Sequence, residues 1–412
     1  MNDLAGNLNI NYTKKFNDSN SVEFSNRLNF NNDKSNLVSS GVYNNLTTES
    51  NTSNMELSSQ LDNEFSLKGG VQCEAGAKFI FRNYYLKPFY NGLPGDTFLF
   101  HQKAGSLYFS ASKQIKKIYL RSGLRAEATG NSFDSNSYNY ITLLPNLLLS
   151  VKASELYTLN ISAKRKVSRP GFYLLNNFIN QNTPLKTTRG NPALTNETYT
   201  TTAIENEFSI GNSNSSFSVE YTHGSNLVSS QSFVDSFITA TTYVNISKSD
   251  DLSAYCSFSK PLFSNTFFLF TSGSIGLYSI SGGLQKNSGI TKSANAGFSY
   301  NPSDKWSFDF NSSFIQNDIY LQGSVGNSIF TDLTVRYANK KSSWLLQATN
   351  PFFEKINESL KGSGPGFSYA GKDYYKSRFI GIAYSYIFGK QKDVRAKTHN
   401  IKNNDIITDD KL

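Results

Sequence analysis

Hydrophobic and polar residues alternate along this chain with a period of two, in one segment after another. Near the start Leu8, Ile10 and Tyr12 fall on one side, opposite Asn7, Asn9, Asn11 and Thr13. Val22 and Phe24, then Leu28 and Phe30, resume the pattern after a polar turn. Further on, Ile118, Leu120, Leu124 and Ala126 oppose Arg121, Arg125 and Glu127. Tyr157, Leu159, Ile161 and Ala163 oppose Thr158, Asn160, Ser162 and Lys164. Ile204, Phe208 and Ile210 stand against Glu205, Glu207 and Ser209, and Phe217, Val219 and Tyr221 against Ser218, Glu220 and Thr222. In the clearest segment, residues 304–314, Trp306, Phe308, Phe310 and Phe314 share one face. Leu333, Val335 and Tyr337 then oppose Asp332, Thr334 and Arg336, and a last segment turns Ile380, Ile382, Tyr384, Tyr386 and Phe388 to one side. Successive side chains of a strand point to opposite faces, so each segment predicts a β-strand with one apolar and one polar face.

Counting such segments predicts about 16 strands. Short polar turns alternate with longer excursions, notably around residues 166–198 and 350–375. Tilted strands of about 9–11 residues suffice to cross a bilayer. A sheet this wide, left open, would present two edges of unpaired backbone groups that hydrocarbon cannot satisfy, whereas closure removes both. A soluble sandwich also alternates, but its outer face need not be so aromatic. The expectation is therefore all-β: an antiparallel transmembrane β-barrel over residues 1–388, followed by a flexible polar tail at 389–412. One short helical turn is expected in residues 352–360, ended by Gly362, Gly364, Pro365 and Gly366.

Composition agrees with a barrel. Aromatic residues reach 14% while charged residues are only 17% and hydrophobic ones 38%. A barrel needs apolar side chains only at every second position, so its average hydrophobicity can stay low. No stretch approaches the about 18 consecutive apolar residues of a membrane helix. The net charge of +9 comes from basic residues that are dispersed except at 113–117, 164–169 and 390–397. They do not interleave with the aromatics, so they are assigned to strand ends and solvated turns, and no nucleic-acid partner is expected.

Candidate chemistry is sparse. Cys73 and Cys256 form no metal motif or disulfide framework, and His101, His223 and His399 have no ligand spacing, so no metal or cofactor is expected. His223 beside Gly224 reads as a strand-end or turn residue. Glu205 and Glu207 share the polar face, where they are expected either to line a pore or to pair with inward Arg residues. No nucleophile elbow or paired-His metal helix is present, and no enzymatic activity is expected. The first residues, Met-Asn-Asp-Leu-Ala-Gly-Asn, show no basic region ahead of an apolar core, so either a secretion signal lies upstream of a fragment or the membrane reading fails.

Two motifs carry a resemblance. The first is Arg169-Pro170-Gly171-Phe172-Tyr173-Leu174-Leu175-Asn176-Asn177-Phe178-Ile179, then Pro184-Leu185, then Gly190-Asn191-Pro192-Ala193-Leu194 and Glu197. The second is Gly364-Pro365-Gly366-Phe367-Ser368-Tyr369, then Asp373-Tyr374-Tyr375 and Arg378, leading to a final strand that ends at Phe388-Gly389. Together they resemble the signature of outer-membrane barrel proteins of the Bacteroidota, within the TonB-dependent receptor superfamily. Asn177 stands where that pattern has Pro, Thr183 where it has Asp, and Asn196 where it has Pro before Glu197.

The resemblance implies a location in the outer membrane of a Gram-negative bacterium. It also implies a 22-stranded barrel preceded by a signal, a TonB-contact segment and a plug, of which this chain would be a partial barrel section. The implied partners are outer-membrane lipid, a TonB-type energising complex acting through the missing plug region, and an external ligand. That ligand would be a siderophore, vitamin, glycan or peptide. A surface adhesin or ligand-binding β-protein without transport activity is the alternative. The prolines restrict φ and mark backbone outside the ladders, and the glycines permit tight or left-handed geometry. Both motifs thus read first as structural corners of the barrel and second as ligand contacts.

Overall fold

The computed structural model describes residues 4–17, 19–40, 45–90, 92–133, 136–183, 185–235, 237–263, 266–316 and 318–389. Four long strands come first: β1 (Leu4–Asn17), β2 (Asn20–Ser40), β3 (Asn45–Leu67) and β4 (Val71–Tyr90). A two-residue strand, β5 (Leu93–Pro94), caps β4, and β6 (Phe98–Ile115), β7 (Ile118–Phe133), β8 (Asn136–Ser154) and β9 (Tyr157–Ser168) follow. The chain then leaves this row for one helical turn, α1 (Phe172–Leu175), and a hairpin of β10 (Ile179–Thr183) and β11 (Lys186–Arg189). It returns as β12 (Glu197–Ile210), β13 (Ser213–Asp235), β14 (Ile238–Leu262), β15 (Phe267–Gly282), β16 (Gln285–Ser303) and β17 (Trp306–Gln316). Short β18 (Ile319–Tyr320) and β19 (Gly323–Val325) precede β20 (Ser328–Ala338) and β21 (Ser342–Thr349). A hairpin of β22 (Lys355–Gly364) and β23 (Phe367–Lys376) leads into β24 (Phe379–Tyr386).

Among the described residues the main sheet holds 20 strands. Setting aside β5, β10 and β11, the remaining seventeen form a continuous wall in which each strand pairs antiparallel with the one before it. Among the described residues no ladder joins β1 to β24. The wall curves, because Ser35 and Ser50 on β2 and β3 line one cavity with Tyr243 on β14 and Tyr320 on β18. Strands that far apart in the ladder share a cavity only if the sheet wraps around it.

Alternation sorts the wall into two faces as expected. On β6, Phe98, Phe100, Gln102, Ala104 and Ser106 are buried, while Leu99 and Leu107 face outward. Leu107 is 69% exposed, Ile141 78% and Ile382 72%. Apolar side chains this open, repeated on every strand, have no counterpart on a water-soluble surface and suit hydrocarbon. No helix among the described residues is long and apolar enough to cross a membrane.

The two ends of the wall differ. At one end, turns of two or three residues join neighbours at 68–70, 116–117, 155–156, 211–212 and 304–305. Trp306 and Trp344 sit near this end, packed on Tyr337 and Tyr384 with ring centroids 4.9 and 4.6 Å apart. Amphipathic rings at that level form an interfacial girdle. At the other end the connections β9–β12, β17–β20 and β21–β24 carry folded elements. Strand β14 has 25 residues and β3 and β13 have 23 each. That is about twice the 9–11 needed to span the bilayer, so the wall projects beyond the membrane at this wide end.

Two expectations need correction. Residues 355–364 form strand β22, not a helix, and the described α-helix is α1, inside the first motif. His223 lies within β13, where Nδ1 is 2.9 Å from Asp250 Oδ1, rather than at a strand end. The seventeen wall strands of the described residues accord with the expected number of about 16. Both cysteines are free thiols, Cys73 buried and Cys256 exposed. The polar tail expected at 389–412 lies outside the described residues beyond Gly389, as does Pro184.

Candidate ligand vestibule at the wide end

The first motif folds into the lumen. Leu174, Leu175 and Leu194 are fully or almost fully buried and pack with Leu86, Phe98, Phe100 and Val228 from β4, β6 and β13. Tyr84, Phe133, Phe172, Tyr173, Phe178 and Tyr243 close around this cluster. Burying a leucine contributes about 1.5–3 kcal/mol. These three residues therefore anchor the segment against the inner wall.

Backbone contacts set its shape. The Gly190 N–H donates to the Asn176 carbonyl at 2.8 Å and the Asn191 N–H to the Leu174 carbonyl at 2.6 Å. Gly190 runs so close to this turn that an added Cβ would overlap the carbonyl oxygen of Asn176 and crowd that of Leu174 at 2.7 Å. Only glycine fits there. Asn176 Oδ1 accepts the Phe178 N–H at 3.0 Å, and Asn191 Oδ1 accepts the Ala193 N–H at 2.9 Å. Asn191 Nδ2 also donates to the Tyr243 carbonyl at 2.9 Å, tying the segment to β14. At its exit Glu197 accepts from the Val228 N–H at 2.7 Å and from the Tyr199 hydroxyl at 2.8 Å.

Charge fixes the other side. The Arg169 guanidinium, 1% exposed, donates to the equally buried Glu127 carboxylate on β7, which also receives Arg125 Nη2 at 2.8 Å. A relay runs beside it across the inner wall. Arg82 donates to Glu56 at 2.6 Å and to Gln102 at 2.7 Å. Gln102 donates to Asn131 at 3.0 Å, Asn131 to Tyr140 at 3.3 Å, and Tyr140 to Asn196 at 2.7 Å. Each of these lumenal side chains thus finds at least one partner beside it, which offsets part of the cost of shielding it from water.

The second motif stands over the same space. Its Gly364-Pro365-Gly366-Phe367 stretch makes the tip of the β22–β23 hairpin, with Gly366 left-handed at φ +81. Gly362 pairs with Tyr369 and Gly364 with Phe367, and each ring lies on the bare backbone of its glycine partner. Tyr375 donates to Glu358 at 2.8 Å, and Ser328 donates to the same oxygen at 2.6 Å. Asp373, Tyr374 and Arg378 are exposed, and Phe388 is exposed beside the short turns at the opposite end. Pro170 is buried next to Arg169, and Pro192 is half-buried.

Both motifs line a single cavity of about 690 Å³. Phe172, Tyr173, Asn176, Phe178 and Gly190 come from the first, and Phe367 and Tyr369 from the second. Sequence reasoning missed Tyr243, Tyr320 and Gln322, which complete it. Gln322 clamps the β18–β19 turn to β13, accepting the Ser232 N–H at 2.7 Å. Burial, then a hydrogen bond with Tyr369, pushes the Tyr320 phenol above its ordinary pKa, so it stays neutral. Among the described residues no group of three or more His, Cys, Asp or Glu is placed to hold a metal ion.

A lipid-facing strand wall with a segment folded into its lumen defines an outer-membrane β-barrel. The chain belongs to the outer membrane protein beta-barrel family, whose model matches residues 1–386. Three solved structures are similar over 93% of this chain. The copper transporter OprC aligns with TM-score 0.73 at 11% identity, covering 65% of that protein. The ferric yersiniabactin uptake receptor FyuA from Yersinia pestis aligns with TM-score 0.67 at 11% identity. The unliganded ferric citrate transporter FecA gives 0.66 at 12%, and 61% of each of the latter two is covered. The chain thus spans less than two thirds of these structures. At such identities the likeness establishes the fold, that of the TonB-dependent receptor barrel. No curated protein matches the chain by sequence.

Proposed function

We propose that this chain forms the wall and outer vestibule of an uptake barrel of the TonB-dependent receptor type. The cavity shared by the two motifs carries this reading, because it sits at the wide end and is built from segments anchored to different strands. An external ligand settles among the aromatic rings and moves inward when a plug, drawn by a TonB-type complex, yields. Binding and passage need positioned contacts and no bond-making group, so the reading assigns no catalytic residue and no cofactor. The similar structures named as transporters and an uptake receptor support it.

The test uses the source cell. Strains lacking this gene, or lacking the TonB-type energiser, are grown in medium containing siderophores, vitamins, glycans and peptides. Mass spectrometry then follows the depletion of each solute. Loss of one solute class from uptake in both strains is expected. Unchanged depletion in the gene deletion would sink the proposal, and loss in the gene deletion alone would remove the energised step.

A further inference from the structure

We infer that the vestibule takes a neutral, hydroxyl-rich ligand with apolar faces, a glycan of a few sugar units, rather than an anionic metal chelate. This inference rests on the reading of the cavity as a ligand vestibule.

Charge is the first argument. Lys186 is the one ionic side chain among the described residues lining the cavity, and no carboxylate joins it. An anionic chelate is held by clustered Arg and Lys that donate charge-assisted hydrogen bonds. A bare metal cation is held by carboxylates, imidazoles or thiolates. The lining offers neither set.

What it does offer is rings and neutral polar groups side by side. Tyr243, Tyr320, Phe367 and Tyr369 present aromatic surface. The glycines behind Tyr320, Phe367 and Tyr369 let those rings lie flat, at Gly323, Gly364 and Gly362 respectively. Of these rings Tyr369 is the most exposed, at 48%, and keeps surface free on the side away from its glycine. The C–H face of a pyranose packs on such a surface through dispersion and apolar burial. Around the rings, hydroxyls stand in pairs: Ser232 with Thr241 at 2.8 Å and Ser35 with Ser50 at 2.7 Å. Hydroxyls both donate and accept, which matches the mixed donor and acceptor pattern of a sugar edge. The volume of about 690 Å³ falls within the usual range for small-molecule sites, about 300–1,000 Å³.

The native full-length protein, purified from outer membranes in detergent, is titrated calorimetrically with neutral gluco-, manno- and xylo-oligosaccharide pools. Ferric citrate and oligogalacturonate serve as anionic probes. One neutral pool is expected to bind, and Tyr369→Ala to weaken it about tenfold, as truncation of an aromatic anchor does. Lys186→Gln is expected to weaken that affinity less than Tyr369→Ala does, since no charge is being matched. Both substitutions lie on exposed side chains, and the heat-dependent electrophoretic shift of the barrel checks that each variant folds. Binding of an anionic probe that Lys186→Gln abolishes would overturn the inference. So would neutral binding indifferent to Tyr369→Ala, or no binding of any neutral pool. Gene-dependent uptake of a charged solute would refute the glycan and leave the transport reading standing. Absence of any gene-dependent uptake would refute transport itself, whatever the cavity binds in detergent.

Discussion

The first motif buries Leu174, Leu175 and Leu194 against the inner wall at 0, 0 and 1% exposure, whereas the 355–376 hairpin leaves Tyr369, Tyr374 and Tyr375 at 48, 59 and 40%. Both segments carry family motifs and both reach the same cavity. The first is held by a leucine cluster, a glycine against a carbonyl turn and a buried ion pair. The second is held mainly by its own ladder and by rings resting on glycines. A fixed inner wall thus faces a more exposed hairpin. The contrast separates residues that build the vestibule from residues available to a ligand.

The largest blow to this contrast should come from Glu127→Ala. It would leave Arg169 buried without its carboxylate, which costs about 3–5 kcal/mol. The expected result is a marked drop in the unfolding midpoint of the detergent-solubilised protein. A midpoint near wild type would mean that the ion pair is not what seats the first motif. Leu194→Ala should follow, at about 2–5 kcal/mol from lost burial and the cavity left behind. Its readout is the same melt, together with faster proteolysis within 169–197.

Tyr374→Ala, on the exposed side of the second hairpin, should change stability by no more than about 0.5 kcal/mol. A loss comparable to that of Leu194→Ala would erase the difference between the segments. Least of all should come from Lys152 near the end of β8, whose ammonium donates at 2.6 Å to the fully exposed carboxylate of Glu155 in the turn that follows. That hydrogen bond, then the charge behind it, holds the Glu155 carboxyl below its ordinary value of 4.5. Any stability it gives is present above that value and fades as pH falls through the lowered one. Solvent screening leaves little to lose. The difference in melting between Lys152→Ala and wild type should be undetectable at neutral and at acidic pH.

Much of the wall was legible because period-two alternation is a direct readout of two faces. Trp306, Phe308 and Phe310 on β17 and Ile380 to Tyr386 on β24 needed nothing more. The lumen was not legible in the same way. Alternation puts Arg121, Arg125 and Glu127 on one polar face alike, and nothing local distinguishes the carboxylate that meets Arg169 42 residues later. The helical turn was misplaced for a related reason. Residues 352–360 carry no decisive periodicity, and their strand form depends on pairing with β23 and β19. Within the motifs, Gly190 was marked as a tight position, but its contact with the turn at Leu174 to Asn176 arises only when the segment folds back. Tyr243, Tyr320 and Gln322 sit outside both motifs, so only the curvature of the wall brings them in.

Strict alternation also governs which changes in chain length the protein can accept. Deleting one residue inside β7 would turn Leu120 and Leu124 toward water and send Arg121, Arg125 and Glu127 into hydrocarbon, inverting the strand up to its next turn. Insertions and deletions are therefore confined to the connections, and the two- and three-residue turns of one end have little slack. Length variation among relatives should accumulate almost entirely at the wide end, where the connections between wall strands carry folded elements.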